Sequence, residues 1–135
     1  MTYERIIPIE FNHCDPAGIV FYPRYFEMTN SVVENFFADV LDFPFARMHP
    51  GGNGVPTVRI EAEFTAPSRL GEKVAFTLAG LHLGSRSFRL EITADHRGER
   101  RLRADITLVW TSDGRAAPWP DALRARLQAF MEGPR

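Results

Sequence analysis

Apolar and polar positions divide this chain into segments of different period. In residues 3–11, Ile6, Ile7, Ile9 and Phe11 stand among polar neighbours, which predicts a first strand. Residues 12–18 then supply Asn, Asp, Pro and Gly, the residues of a turn or a functional loop. From Pro23 the period changes. Met28, Val32, Val33, Phe36, Phe37 and Val40 recur at three- and four-residue intervals, predicting a helix with one buried face that runs to about Leu41. Pro23 suits its first turn, where a missing N–H costs nothing, and Phe43-Pro44 ends it. Residues 46–54, with Pro50-Gly51-Gly52-Asn53-Gly54, read as a flexible connection.

Four strand-like runs follow. Val58, Ile60, Ala62 and Phe64 alternate with Thr57, Arg59, Glu61 and Glu63, putting the two glutamates on the polar side. Val74, Phe76 and Leu78 form the next run, ending near Gly84. Phe88, Leu90, Ile92 and Ala94 form the third, stopped at Arg97-Gly98. Leu102, Ala104, Ile106, Leu108 and Trp110 form the last, stopped at Asp113-Gly114. Short turns at Gly84 and Gly98 favour antiparallel neighbours. Leu123, Leu127, Phe130 and Met131 predict a short C-terminal helix after Pro120. One long helix can cover a five-strand sheet only by lying across one face, so the class is α+β.

Composition narrows the setting. A length of 135 residues fits one domain spanning 1–135, with no internal repeat or linker. The net charge of -1 gives no global field to recruit nucleic acid or an acidic membrane, so neither is expected as a partner. No signal-peptide pattern is visible, and no apolar run approaches the ~20 residues of a membrane helix. One cysteine, Cys14, allows no intramolecular disulfide and suits a reducing compartment, so the chain reads as cytoplasmic. Eleven phenylalanines are many for this size and point to apolar surface buried against another subunit.

The candidate chemistry lies in the loop before the long helix, residues 12–23. Asp15 in a Gly/Pro-bounded loop sits a few residues before a helix start, beside free backbone N–H groups that favour developing negative charge. Pro23 cannot donate, so the donors there include the N–H groups of Tyr22 and Arg24. A carboxylate beside such donors is the pairing that acyl transfer requires. An Asp-Pro in a loop is also an ordinary turn former, and loop chemistry alone does not separate the two readings.

The residues themselves are more specific. Phe11-Asn12-His13-Cys14-Asp15-Pro16-Ala17-Gly18-Ile19-Val20-Phe21-Tyr22-Pro23-Arg24-Tyr25 closely resembles the signature of the 4-hydroxybenzoyl-CoA thioesterase family, in its aspartate-dependent branch. The stretch from Ala62 to Val74 is similar to that family's second strand and following turn. The resemblance implies a hotdog fold, an antiparallel sheet wrapped around one long central helix, and hydrolysis of an aroyl-CoA or other acyl-CoA. It implies that Asp15 attacks the thioester carbonyl or activates a water to do so, and that the Tyr22 N–H polarises that carbonyl. Relatives in a sister branch carry a histidine where Tyr22 stands, which places this chain nearer the aroyl-CoA type.

Two positions depart from the pattern. The helix carboxylate that holds a ring hydroxyl in the 4-hydroxybenzoyl enzyme is matched by Asn30, an amide that cannot be a charged acceptor. The basic run that contacts CoA phosphates is reduced to Gly84-Ser85-Arg86-Ser87, leaving Arg86 to meet the nucleotide phosphate, with Ser87 beside it. A homodimer or homotetramer with sites at the subunit interface is implied, and no cofactor beyond the CoA of the substrate.

The remaining candidates read as follows. His13 could orient or shield the site, or only pack the loop. Cys14 has no base fixed beside it and reads as a buried structural thiol. His49, His82 and His96 form no ligand spacing with Cys14, so no metal site is expected. Arg97, Arg100, Arg101 and Arg103 alternate with acids around a turn and read as a solvated, charge-balanced hairpin. Two rival functions remain: a hotdog acyl-CoA hydratase or dehydratase, for which His13 is the near candidate, and a non-catalytic acyl-CoA-binding protein.

Overall fold

In the computed structural model, which describes residues 1–133, the helical spacing becomes α1 (Arg24–Asp39), with Pro23 as its N-cap. Its buried face is Tyr25, Met28, Thr29, Val32, Val33, Phe36 and Phe37. At ~1.5 Å per residue the helix is ~24 Å long, enough to cross five strands spaced ~4.8 Å apart.

The strands are β1 (Thr2–Pro8), β2 (Asn53–Gly54), β3 (Thr57–Phe64), β4 (Lys73–Leu83), β5 (Ser87–His96), β6 (Glu99–Val109), β7 (Thr111–Ser112) and β8 (Arg115–Ala116). Five of them form an antiparallel sheet in the order β1-β4-β5-β6-β3. Register aligns the apolar positions across it. Leu78 pairs with Ile92 and Ile92 with Ala104, while Phe76 pairs with Ala94 and Ala94 with Leu102. All of these are fully buried beneath α1. The helix α3 (Asp121–Glu132) closes one end with Leu123, Leu127 and Phe130, and the Phe130 ring meets Phe36 at 4.8 Å. Phe36 also stacks on Phe88, so it joins α1, α3 and β5. Truncating such a residue typically costs ~3–5 kcal/mol. This is the hotdog fold: a sheet curved about one helix.

Several expectations are corrected. Phe11 is not in the first strand. Pro8 ends β1, and Phe11–His13 make a 3₁₀ turn in which Phe11 is 83% exposed. The connection at 46–54 is not featureless: α2 (Phe45–Met48) buries Met48, and β2 pairs with β7. Asp113-Gly114 does not stop the chain's pairing. Both residues have positive φ (50° and 79°), which suits a tight two-residue hairpin turn joining β7 to β8. The first strand of the run of four, β3, lies at the sheet edge beside β6 and away from β4. Its alternation therefore does not produce burial within one chain: Val58 is 60% exposed and Phe64 43%. Arg101 is not a solvated hairpin arginine either. It is 5% exposed, whereas Arg100 and Arg103 pair with Asp95 and Glu91 as a charge-balanced surface would. No helix among the described residues is long and apolar enough to cross a membrane.

Candidate active site

The loop carrying Asp15 is a miniature hairpin. The Phe21 N–H donates to the His13 carbonyl (2.9 Å), Cys14 bridges Val20, and the Asp15 N–H donates to the Ile19 carbonyl (3.1 Å). Asp15 thus stands at the head of a turn through Pro16, Ala17 and Gly18. The Gly18 N–H closes it on the Asp15 carbonyl (3.0 Å), and the Ala17 N–H donates to Asp15 Oδ1 (2.9 Å). Each residue type has its reason: Asp accepts from the backbone two residues on, Pro presets the bend, and Gly18 takes φ = 77°. The turn-forming role therefore occupies only one of the two carboxylate oxygens. Oδ1 holds the loop, while Oδ2 has no bond among the described residues.

The second family-like stretch clamps this hairpin. The Val20 N–H donates to the Ser68 carbonyl (2.9 Å), Ile19 bridges Arg69, and the Leu70 N–H donates to the Gly18 carbonyl (3.0 Å). Ser68, fully buried, accepts the Tyr25 hydroxyl from α1 (2.9 Å). Arg101 anchors the clamp from beneath. Its Nη1 donates to the Pro67 carbonyl (2.8 Å) and to Glu72 Oε1 (2.7 Å). Glu99 Oε1 lies 2.9 Å from Arg101 Nε but off the N–H direction, so that contact is electrostatic only. The Arg101 hydrogen bond, helped by the Arg69 N–H and opposed by burial, lowers the Glu72 carboxyl to about 2. Glu72 in turn raises the Arg101 guanidinium. Nothing in the sequence marks Arg101 for this task, because it stands among the solvated arginines of β6. It becomes buried only when residues 65–72 fold over it.

At the start of α1 the Arg24 N–H donates to the Phe21 carbonyl (2.9 Å), which removes it as a free donor. Pro23 has none. Among the described residues the Tyr22 N–H has no acceptor, so of the two donors expected from the sequence it is the one left open. Tyr22 is 58% exposed, and its ring meets Phe64 edge-on at 5.7 Å.

The other sequence candidates scatter. The Glu10 N–H donates to His13 Nδ1 (2.9 Å), and the ring lines a crevice of about 260 Å³ between β1 and α1 to which Asp15 does not contribute. Cys14 Sγ is half-buried and contacts the Glu10 carbonyl at 3.5 Å. Asn30 lies two helical turns beyond Tyr22, on the side of α1 that faces β3. Arg86 lies in the β4–β5 turn at the far end of the sheet, and Ser87 opens β5; Arg86 is exposed, and its carbonyl accepts the Trp110 N–H. Among the described residues no three His, Cys, Asp or Glu side chains converge as a metal ion would require.

A groove left unremarked by sequence reasoning runs between α1 and β3. It starts at a depression of about 290 Å³ against Ile19, Tyr22, Tyr25 and Phe64. Past the Phe26–Phe64 contact it continues into an apolar slot of about 190 Å³ lined by Phe26, Val33, Ile60 and Ile106, with Thr29, Asn30 and Thr57. It ends in a depression of about 220 Å³ that shares Asn30 and Thr57 and adds His49.

Comparison with known proteins fits this geometry. A model of the thioesterase-like superfamily matches residues 9–127. No curated protein matches the chain. Among solved structures, the gentisyl-coenzyme A thioesterase BH1999 is 26% identical, with a TM-score of 0.86, covering 92% of this chain and 98% of that one. A thioesterase from Thermus thermophilus, complexed with coenzyme A and Zn, is also 26% identical, with a TM-score of 0.82 and coverage of 98% and 96%. Slr0204, a 1,4-dihydroxy-2-naphthoyl-CoA thioesterase from Synechocystis, shares the fold at 16% identity, with a TM-score of 0.87 and coverage of 99% and 100%. With hotdog topology and a family match over most of its length, this chain belongs to the thioesterase-like superfamily and is a thioester hydrolase.

Proposed function

We propose that the chain hydrolyses an acyl-CoA, of the aroyl type before others, with Asp15 as nucleophile or general base. The observation that carries this is the unpartnered Tyr22 N–H at the start of α1, beside a hairpin that presents Asp15 with one free carboxylate oxygen. A thioester whose carbonyl oxygen accepts from Tyr22 has its carbon exposed to Asp15. Attack by the carboxylate, or by a water that gives its proton to it, pushes charge onto that oxygen. One such donor is typically worth ~2.7–4 kcal/mol of barrier. Collapse then breaks the C–S bond and expels the CoA thiolate. In the direct route a water next cleaves the acyl-aspartate anhydride and restores Asp15. Neither route needs a cofactor beyond the substrate's CoA. The single cysteine suits the reducing cytoplasm, where we place the reaction.

The neighbour named for gentisyl-CoA supports an aromatic acyl group, as does the Phe26-lined slot. Asn30 in place of a carboxylate argues against 4-hydroxybenzoyl-CoA itself. The hydratase reading loses support because the His13 Nδ1 lone pair is occupied by the Glu10 N–H.

We further propose that the working enzyme is a homodimer or a tetramer of such dimers. β3 is a long edge strand with apolar side chains and no cover within the chain, the kind of edge that seeks a partner. Two copies paired antiparallel at β3 would extend the sheet and roof the groove. Thiol release from a panel of aroyl-, phenylacetyl-, short- and medium-chain acyl-CoAs tests the reaction. Water addition to an enoyl-CoA without thiol release, or tight binding with no release, would replace it.

A further inference from the structure

The crevice between β1 and α1 holds a cation that the chain leaves without a counter-charge. Arg5 pairs with the fully buried Phe76 across the sheet, so its side chain leaves β1 on the helix-covered face. Arg5 is half-buried, its Nε is buried with no hydrogen-bond partner, and it forms no ion pair among the described residues. The Tyr3 hydroxyl beside it is neutral and already donates to Asp39 Oδ2 (2.6 Å). A guanidinium drawn partly out of water without an opposite charge is costly. Tyr3 meets Asp39 at the C-terminal end of α1, so β1 runs back along the helix toward its start. Arg5 and Ser31 therefore mark one end of the crevice, Ile7 and Met28 its middle, and Glu10 and Glu27 the other end. Three steps of ~3.3 Å from Arg5 to Pro8 make it roughly 10 Å long. Ser31 Oγ accepts from Asn35 Nδ2 (3.5 Å) and keeps its own hydrogen to give. The far end has the opposite character: Glu27 is paired with Arg24 (2.6 Å), and Glu10 is exposed.

We propose that this crevice is a carboxylate-binding site, separate from the thioester site, for a monocarboxylic acid with an apolar body of medium length. The carboxylate pairs with the Arg5 guanidinium and accepts from the Ser31 hydroxyl, supplying the missing counter-charge. The apolar body lies along Ile7 and Met28. The far end of the ligand is neutral or cationic, because a second carboxylate would face Glu10 and Glu27. Asp15 does not line the crevice, so the site stands whether or not Asp15 performs the hydrolysis. Thioester hydrolysis releases an acid of this class, which makes the enzyme's own product a fitting occupant.

The test titrates octanoate, 8-aminooctanoate, suberate and octanol into the wild type by calorimetry and follows octanoate in the methyl NMR spectrum. Octanoate should bind and shift the Ile7 and Met28 methyls, leaving those of Val33 and Ile60 in the α1–β3 groove unmoved. 8-Aminooctanoate should bind at least as well, and suberate and octanol at least ~10-fold more weakly. Arg5→Met removes the charge and should weaken octanoate by at least ~10-fold, while Arg5→Lys should restore part of the loss. Asp15→Asn should leave octanoate affinity unchanged. Shifts at Val33 and Ile60 instead, with tighter binding to Asp15→Asn, would put the acid in the thioester groove and overturn the proposal. No octanoate binding to the wild type overturns it too, as does an affinity unmoved by Arg5→Met in a folded protein. If Arg5→Met does not fold, the wild-type series decides alone: suberate bound as tightly as octanoate removes the site.

Discussion

Asp15 and Arg86 lie at opposite ends of the five-stranded sheet. The Asp15 hairpin is clamped to Ser68 and Leu70, just before β4 begins at Lys73, and Arg86 follows the end of β4 at Leu83. The eleven residues of β4, ten steps of ~3.3 Å, separate them by roughly 33 Å. Antiparallel pairing at β3 would set the Thr57 end of one strand, where Arg86 sits, beside the Phe64 end of the other, where Asp15 sits. Mixed dimers of Asp15→Asn and Arg86→Ala chains should then contain one intact site and one doubly impaired site. Hydrolysis with wild-type KM should reappear on mixing, at a fraction of the wild-type rate. If mixing restores nothing, the two residues do not serve one substrate across the interface.

Asp15→Asn is the sharpest probe of chemistry. Asparagine keeps Oδ1 to accept the Ala17 N–H, so the turn survives while the charge is lost. Turnover should fall by at least ~10²-fold with an unchanged melting temperature and nearly unchanged ligand binding. Near-normal turnover would remove Asp15 from the mechanism.

Arg86→Ala should raise KM with little change in kcat, because a phosphate contact far from the carbonyl holds ground and transition states alike. The effect should shrink as salt rises and vanish for an acyl-pantetheine thioester, which lacks the nucleotide phosphate. An equal penalty on both substrates would make Arg86 a structural residue.

Cys14→Ser should retain most activity, since serine can still donate to the Glu10 carbonyl that Sγ meets at 3.5 Å. A loss as deep as that of Asp15→Asn in a folded protein would show that the thiol takes part.

The Glu72–Arg101 pair predicts both stability and pH behaviour. Glu72→Gln leaves the buried Arg101 cation with only the exposed Glu99 as counter-charge and should cost about 3 kcal/mol, the lower end for breaking a buried pair because Glu99 remains and Glu72 keeps some contact with water. Kinetic damage should accompany it, as residues 67–72 hold the Asp15 hairpin. The Glu72 carboxyl is depressed from 4.5 to about 2, so its contribution is present above the unfolded value and lost as pH falls from about 4.5 through about 2. Acid titration of wild type against Glu72→Gln, followed by circular dichroism, should show the two stabilities converging in that window.

Local pattern alone was enough for the long helix, the five strands of the main sheet, the C-terminal helix and their order, but not for α2 or the short strands β2, β7 and β8. The 3.6-residue spacing from Met28 to Phe37, the two-residue alternation of β4, β5 and β6, and the Asp-Pro-Ala-Gly turn are each set by neighbours within one element, where periodicity reports which face is buried. The Asp15 loop and the helix start were legible for the same reason. Tertiary structure decided what no local period encodes. It placed β3 beside β6 at the edge, so that an alternation which normally marks one buried face belongs here to a strand exposed on both. It folded residues 65–72 over Arg101, turning one of four similar arginines into a buried anchor, and it brought His49 to Asn30 across nineteen positions of chain. It also left Tyr22, and not Arg24, as the open donor, because the Phe21 carbonyl reached the Arg24 N–H first. Each of these depends on which distant segments share a boundary. That is set by the packing of whole faces against one another, a sum over many weak contacts that no single window of sequence contains.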